Sequence, residues 1–131
     1  MNPCILIIED NEQNLYLTTF LLEKSGYTVV QARDGHEGIT LAAQLHPILI
    51  LLDIQLPLMD GYAVAEALRS NPSLQTVPIV AVTSYAMVGD RERILAAGCS
   101  GYLEKPINPE TFISEIGQHL LPRSTETKDP L

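Results

Sequence analysis

Pro47-Ile48-Leu49-Ile50-Leu51-Leu52-Asp53 sets the reading of everything around it. The run is unbroken by a polar residue, so it is not the alternating pattern of a strand with one wet face. It is also far too short to span a bilayer. A short apolar run bounded by a proline and an acid fits a parallel strand covered on both sides. As the most apolar run, it belongs at the centre of a sheet. Four further runs lie at residues 4–8, 27–32, 79–82 and 101–103. The run at 27–32 is mixed, with Thr28 and Gln31, which suits a strand nearer an edge.

Helix signals fill the gaps. Leu15 and Leu22 have helical spacing within 14–25, and Gly26 follows as a natural C′ residue. Asp34 and Glu37 fit a capping box for a helix through Leu45. Residues 61–69 read as a third helix closed by Asn71-Pro72, and 90–97 as a fourth closed by Gly98. Asn108-Pro109-Glu110 supplies an N-cap, a proline at N1 and a first-turn acid for a fifth helix running to Leu120. The result is an α/β chain, (βα) five times over, at about 25 residues per unit. Such alternation gives a parallel sheet with right-handed crossovers. A closed eight-stranded barrel needs roughly twice the length. A doubly wound open sheet remains, with helices on both faces, spanning residues 1–121. Residues 122–131 read as a short polar C-terminal tail.

Composition narrows the function. The chain has 131 residues, 46% hydrophobic and 18% charged, and a net charge of −8. That is one globular domain. It carries no electrostatic footprint of a nucleic-acid binder and no room for a second, DNA-reading domain. Cys4 and Cys99 set no disulfide framework and lack metal-ligand spacing, so they read as buried free thiols in a reducing compartment. Met1-Asn2-Pro3-Cys4 has no positive region ahead of its apolar run and is not a signal peptide. The expectation is a cytoplasmic protein that engages neither nucleic acid nor membrane.

In open α/β sheets, ligands bind beyond the carboxyl ends of the strands. Here those ends carry Glu9-Asp10, Asp53, Thr83 and Lys105. Any one of them alone is an ordinary turn or cap residue. Their joint occurrence at four strand ends is harder to dismiss. Clustered carboxylates repel one another and raise some of their pKa values. A hard divalent cation such as Mg²⁺ relieves this, and it typically bridges carboxylates to a phosphate. Lys105 offers a positive charge for a phosphoryl oxygen, and Thr83 offers a hydroxyl. With charge masked in this way, Asp53 can act as a nucleophile toward phosphorus.

The stretches Ile7-Ile8-Glu9-Asp10-Asn11, Leu52-Asp53-Ile54-Gln55-Leu56-Pro57, Ala81-Val82-Thr83-Ser84 and Tyr102-Leu103-Glu104-Lys105-Pro106 resemble the receiver domains of two-component response regulators. The resemblance covers residues 4–121, with the motifs in order and correctly spaced. The segment from Thr83 to Asp90 looks most like stand-alone cell-division regulators and the receivers of hybrid kinases. The resemblance implies a flavodoxin-like five-stranded sheet of order 2-1-3-4-5. It implies that Asp53 accepts a phosphoryl group from a histidine kinase or a histidine phosphotransfer protein. Glu9 and Asp10 match the acidic pair that organises magnesium, and the glutamate of this variant acts through a water. The backbone carbonyl of Gln55 matches a third protein ligand. Thr83 and Tyr102 match the switch pair, Lys105 the family's lysine, and Lys105-Pro106 a peptide bond that is usually cis. Asp60-Gly61 matches the turn into the third helix. Gln55 and Tyr85 flank the pocket, where their side chains tune the lifetime of the phosphorylated state. Output is then by contact with a target protein, from a monomer or a phosphorylation-dependent dimer. The first helix, with Leu15 and Leu17, is a candidate kinase-docking face, although packing against the sheet is the simpler role for Leu15.

Competing readings separate on named residues. A phosphatase of the haloacid dehalogenase class needs an acid two residues after its nucleophile, and Gln55 stands there. A flavodoxin-like nucleotide binder needs a glycine-containing phosphate loop, and Glu9-Asp10-Asn11-Glu12 is acidic. A degenerate receiver that binds partners without phosphorylation is the remaining alternative.

Overall fold

A computed structural model describes residues 4–84 and 86–120. Strands β1 (Cys4–Ile8), β2 (Thr28–Ala32), β3 (Leu49–Asp53), β4 (Ile79–Thr83) and β5 (Gly101–Glu104) alternate with helices α1 (Glu12–Lys24), α2 (Gly35–Leu45), α3 (Gly61–Arg69), α4 (Val88–Ala96) and α5 (Phe112–Leu120). All pairings are parallel and the order is β2-β1-β3-β4-β5, as expected of this fold class. β3 is central and fully buried, whereas the mixed strand β2 takes an edge.

The apolar runs are continuous because both faces of the sheet are covered. Side chains alternate between faces, so each run divides into two sets. Leu6, Ile8, Ile50 and Leu52 pack with Ala42 of α2, Val64, Ala65 and Leu68 of α3 and Ile94 of α4. Ile5, Ile7, Leu49 and Leu51 pack with Leu15 and Leu22 of α1 and Phe112 and Ile116 of α5. Three helices therefore cover one face and two the other.

Boundaries shift slightly from the sequence reading. Asn11 caps α1, accepting from the Asn14 backbone N–H at 2.9 Å, so the helix starts two residues earlier than expected. Asp34 caps α2 through the Glu37 N–H, but the Glu37 carboxylate reaches back to the Arg33 N–H, just outside the expected box. Asn108 caps a separate turn before α5 instead of the helix itself; its side chain accepts from Glu110 N–H and its carbonyl from Phe112 N–H. Asn71-Pro72 opens a 3-10 turn over Pro72–Leu74 after α3. Cys99 is buried and Cys4 half-buried, both as free thiols. Leu15 is buried against the sheet, and the exposed apolar residues of α1 are Tyr16 and Phe20 instead. The expected tail at 122–131 lies outside the described residues, as does Tyr85. No helix among the described residues is long and apolar enough to cross a membrane.

Arg69 holds the end of α3 to two neighbouring loops. Its guanidinium donates to the carbonyls of Gly98, Leu74 and Val77, each at 2.7 Å. These acceptors would otherwise lose water without a partner. Arg69→Met is expected to cost about 2–4 kcal/mol. Urea denaturation checks this as a lower midpoint at unchanged slope; a loss below about 1 kcal/mol counts against the assignment.

Candidate functional site

The carboxyl edge of the sheet places the polar strand-end residues side by side. Asp53 closes β3 and Thr83 closes β4, while Glu9 and Lys105 follow β1 and β5 directly. The ladder carries one step past the strands. Glu9 N–H donates to the Ala32 carbonyl at 2.9 Å, Ile54 N–H to Val82 at 3.0 Å and Lys105 N–H to Thr83 at 2.8 Å. Those bonds fix the backbone from which the site's side chains project.

Carboxylate oxygens of Glu9, Asp10 and Asp53 lie within 4.8 Å of one another. Asp53 and Glu9 are buried, only 2% and 5% exposed, and Asp10 opens to solvent. Lys105 Nζ donates to Asp53 Oδ1 at 2.9 Å, as does the backbone N–H of Gln55, also at 2.9 Å. Neither contact uses Oδ2. The Gln55 side chain extends the network: its Nε2 donates to Thr83 Oγ1 at 3.0 Å, and its Oε1 accepts from Ser84 N–H at 3.2 Å. The two loops after β3 and β4 are thus joined by one amide. The sequence placed Gln55 beside the pocket, but nothing in it pointed to this bridge.

Burial is the main reason that Glu9 is pushed up to about 8, with the hydrogen bond to Asp53 and the charge of Asp53 acting in the same direction. The Asn11 N–H and Lys105 oppose the shift. Without a cation, Glu9 therefore holds its proton far more tightly than an ordinary glutamate. Three carboxylate oxygens without a nitrogen or sulfur donor suit a hard divalent cation. The chemistry of the donor set thus fits a metal of the magnesium type.

Tyr102 lies on β5, half-buried against the α4 side of the sheet, opposite Ala81 of β4. The Arg91 guanidinium sits over its ring, 5.7 Å from the centroid. The Lys105-Pro106 peptide is cis, as the resemblance implied. Asp60 caps α3 by accepting from Ala63 N–H at 2.9 Å, and Gly61 packs directly on the backbone of the loop after β3.

Comparison with known proteins gives a consistent result. Residues 5–117 match the family described as "Response regulator receiver domain". The polar-differentiation response regulator DivK of Brucella ovis is 44% identical over 120 residues, covering 92% of this chain and 98% of that protein. The chemotaxis protein CheY4 of Vibrio cholerae superposes with a TM-score of 0.87 at 27% identity, over 92% of this chain and all of that one. The receiver domain of the sensor histidine kinase PA1611 of Pseudomonas aeruginosa superposes at 0.83 and 32% identity, over 92% and 98% of the two chains. That structure has a magnesium ion coordinated in its active-site cleft.

Proposed function

This chain belongs to the response regulator receiver domains, and on that premise we propose that it accepts a phosphoryl group on Asp53 and signals by changing its contacts with a target protein. The observation that carries the reading is the buried Asp53 carboxylate, held through Oδ1 by Lys105 and the Gln55 amide within a group of three acids. The donor is a phosphohistidine on a sensor kinase or phosphotransfer protein. An oxygen of Asp53 attacks phosphorus, the P–N bond breaks, and the imidazole leaves. Lys105 accompanies the charge that gathers on the phosphoryl oxygens, and the Thr83 hydroxyl donates to one of them. Glu9, Asp10, Asp53 and the Gln55 carbonyl would hold Mg²⁺, which would supply positive charge to offset that of the acids and the phosphoryl group. Water later attacks phosphorus, the P–O bond to Asp53 breaks, and inorganic phosphate returns the carboxylate. The chain is its own substrate in both steps, a phosphoacceptor instead of an enzyme acting on a separate substrate. As Thr83 draws toward the phosphoryl group, Tyr102 turns inward. That change shifts a two-state equilibrium over α4, β5 and α5. Such a protein works in the cytoplasm, among kinases and their targets.

The test is incubation with acetyl phosphate and Mg²⁺, read by intact mass. One phosphoryl group is expected, stable to acid and labile to base. No gain in folded protein with metal binding confirmed overturns the reading and leaves a phosphorylation-independent interaction module.

Metal binding has its own pH signature. Glu9 gives up its proton on taking part in a cation site, so Mg²⁺ affinity should rise with pH up to about 8, with proton release on binding. In the metal-free fold the sign is the reverse of an ordinary salt-bridged acid. The folded chain keeps a proton that the unfolded chain loses, so the contribution of Glu9 to stability is full below 4.5 and is lost as pH rises through about 8. Calorimetric titration in two buffers of different ionisation enthalpy reads the release. Equal proton counts for wild type and Glu9→Gln would refute the assignment.

A further inference from the structure

Resting on the switch reading above, we propose that Arg91 is a positioning residue that holds the Tyr102 ring in its resting place and ties it to the loop between β4 and α4. Two contacts of one side chain support this. The guanidinium carbon lies 5.7 Å from the Tyr102 ring centroid, within cation–π range. Nε of the same group donates to the carbonyl of Ala86 at 2.8 Å. Ala86 is three residues beyond Thr83 and buried. The loop that follows Thr83 and the ring of Tyr102 are therefore bridged on the outside by a single arginine.

The helix that carries Arg91 is lightly held. Its N-cap, Met87, makes no side-chain capping bond, and Ile94 is its only buried residue. Met87, Val88 and Leu95 are exposed. Its second lateral tie is also an arginine on a tyrosine, with Arg93 3.8 Å from the centroid of the Tyr62 ring on α3. A helix with so little buried apolar surface is set by such contacts instead of by core packing. Arg93 ties α4 to α3, an element that need not move when Tyr102 turns. Arg91 ties it to the ring that does move. An inward turn of Tyr102 breaks the Arg91 stack and leaves the Arg93 stack intact. Arg91 thus opposes the switch, and its loss favours the inward ring even without phosphate.

An exposed cation–π contact corresponds to about a two- to five-fold bias in such an equilibrium. Arg91→Met keeps the aliphatic stem and removes both the charge and the Nε donor. Two-dimensional NMR of the unphosphorylated protein, with the tyrosine rings labelled, reads the Tyr102 signal. In Arg91→Met it should move toward the position it takes in phosphorylated wild type. Phosphorylation by acetyl phosphate should accelerate about two- to five-fold. The acceleration should vanish in a Tyr102→Leu background, whereas a merely structural arginine would act there too. Arg93→Met serves as the comparison and should leave the Tyr102 signal in place. An unmoved Tyr102 signal in Arg91→Met, or an equal acceleration in the Tyr102→Leu background, overturns the proposal. If wild type takes no phosphate, the phosphoacceptor reading fails by itself. The latch is then tested by denaturant stability: additive effects of Arg91→Met and Tyr102→Leu overturn it, and coupled ones support it.

Discussion

Asp53→Asn should abolish phosphorylation while leaving the fold intact. The amide is nearly isosteric and keeps an oxygen to accept from Lys105 Nζ and the Gln55 N–H, both at 2.9 Å in the native site. It also removes one charge from a group of three carboxylates, two of them buried. Folding is therefore not at risk from an unpartnered lysine. What disappears is the proposed nucleophile, because an amide oxygen without a negative charge attacks phosphorus poorly. The rate should fall at least about a thousand-fold, below detection by intact mass after incubation with acetyl phosphate and Mg²⁺. Circular dichroism should superpose on wild type. A mass gain in Asp53→Asn equal to that of wild type would move the acceptor elsewhere, with Asp10 and Glu9 the nearest carboxylates.

Gly61→Ala should cause a large loss of stability from the addition of a single methyl group. A Cβ at this position would stand 2.5 Å from Ile54 Cα and 2.7 Å from the Asp53 carbonyl oxygen. Both are backbone atoms, so no rotamer change relieves the clash. Ile54 is further pinned because its N–H bonds to Val82 across the sheet and its carbonyl accepts from Gly61 N–H, each at 3.0 Å. The start of α3 must move outward, at a cost of about 2–3 kcal/mol and a Tm lower by roughly 10 °C. Gly117→Ala is the control. It lies within α5, and its Cβ meets nothing within 4 Å, so that variant should gain up to about 1 kcal/mol from helix propensity alone. Gly61→Ala should also slow phosphorylation, because the displaced segment carries Gln55 away from Asp53 and Thr83. A Tm within about 2 °C of wild type would show that the loop yields cheaply and that Gly61 does not set the site.

The parts of the site that were legible in the sequence share one property: they depend on a strand ending where its apolar run ends. Asp53, Thr83 and Lys105 could be placed on one rim because five apolar runs and their connecting helices leave little choice of topology. The side-chain bridge from Gln55 to Thr83 and Ser84 was not legible. It depends on how closely the loops after β3 and β4 approach, which is set by sheet twist and packing. The outer surface of α1 was only partly legible. Leu15 is buried, as its simpler role required, but only the docked helix shows that Tyr16 and Phe20 are its exposed large apolar residues. Arg69, Arg91 and Arg93 read as ordinary charged helix residues. Their roles come from carbonyls and rings on other elements.

What the sequence determined alone is the alternation of strand and helix, the two-faced burial of the central strand and the identity of the acids at its carboxyl edge. These follow from local periodicity, which a chain carries with it before it folds. The tertiary structure decided which charges meet. Glu9 is an ordinary acid in the unfolded chain and one that holds its proton far more tightly in the metal-free fold, because burial and Asp53 act on it together. Arg91 meets Tyr102 and Ala86 only because α4 lies across β5. Electrostatics depends on distance and on the removal of water, and both exist only once the elements are packed.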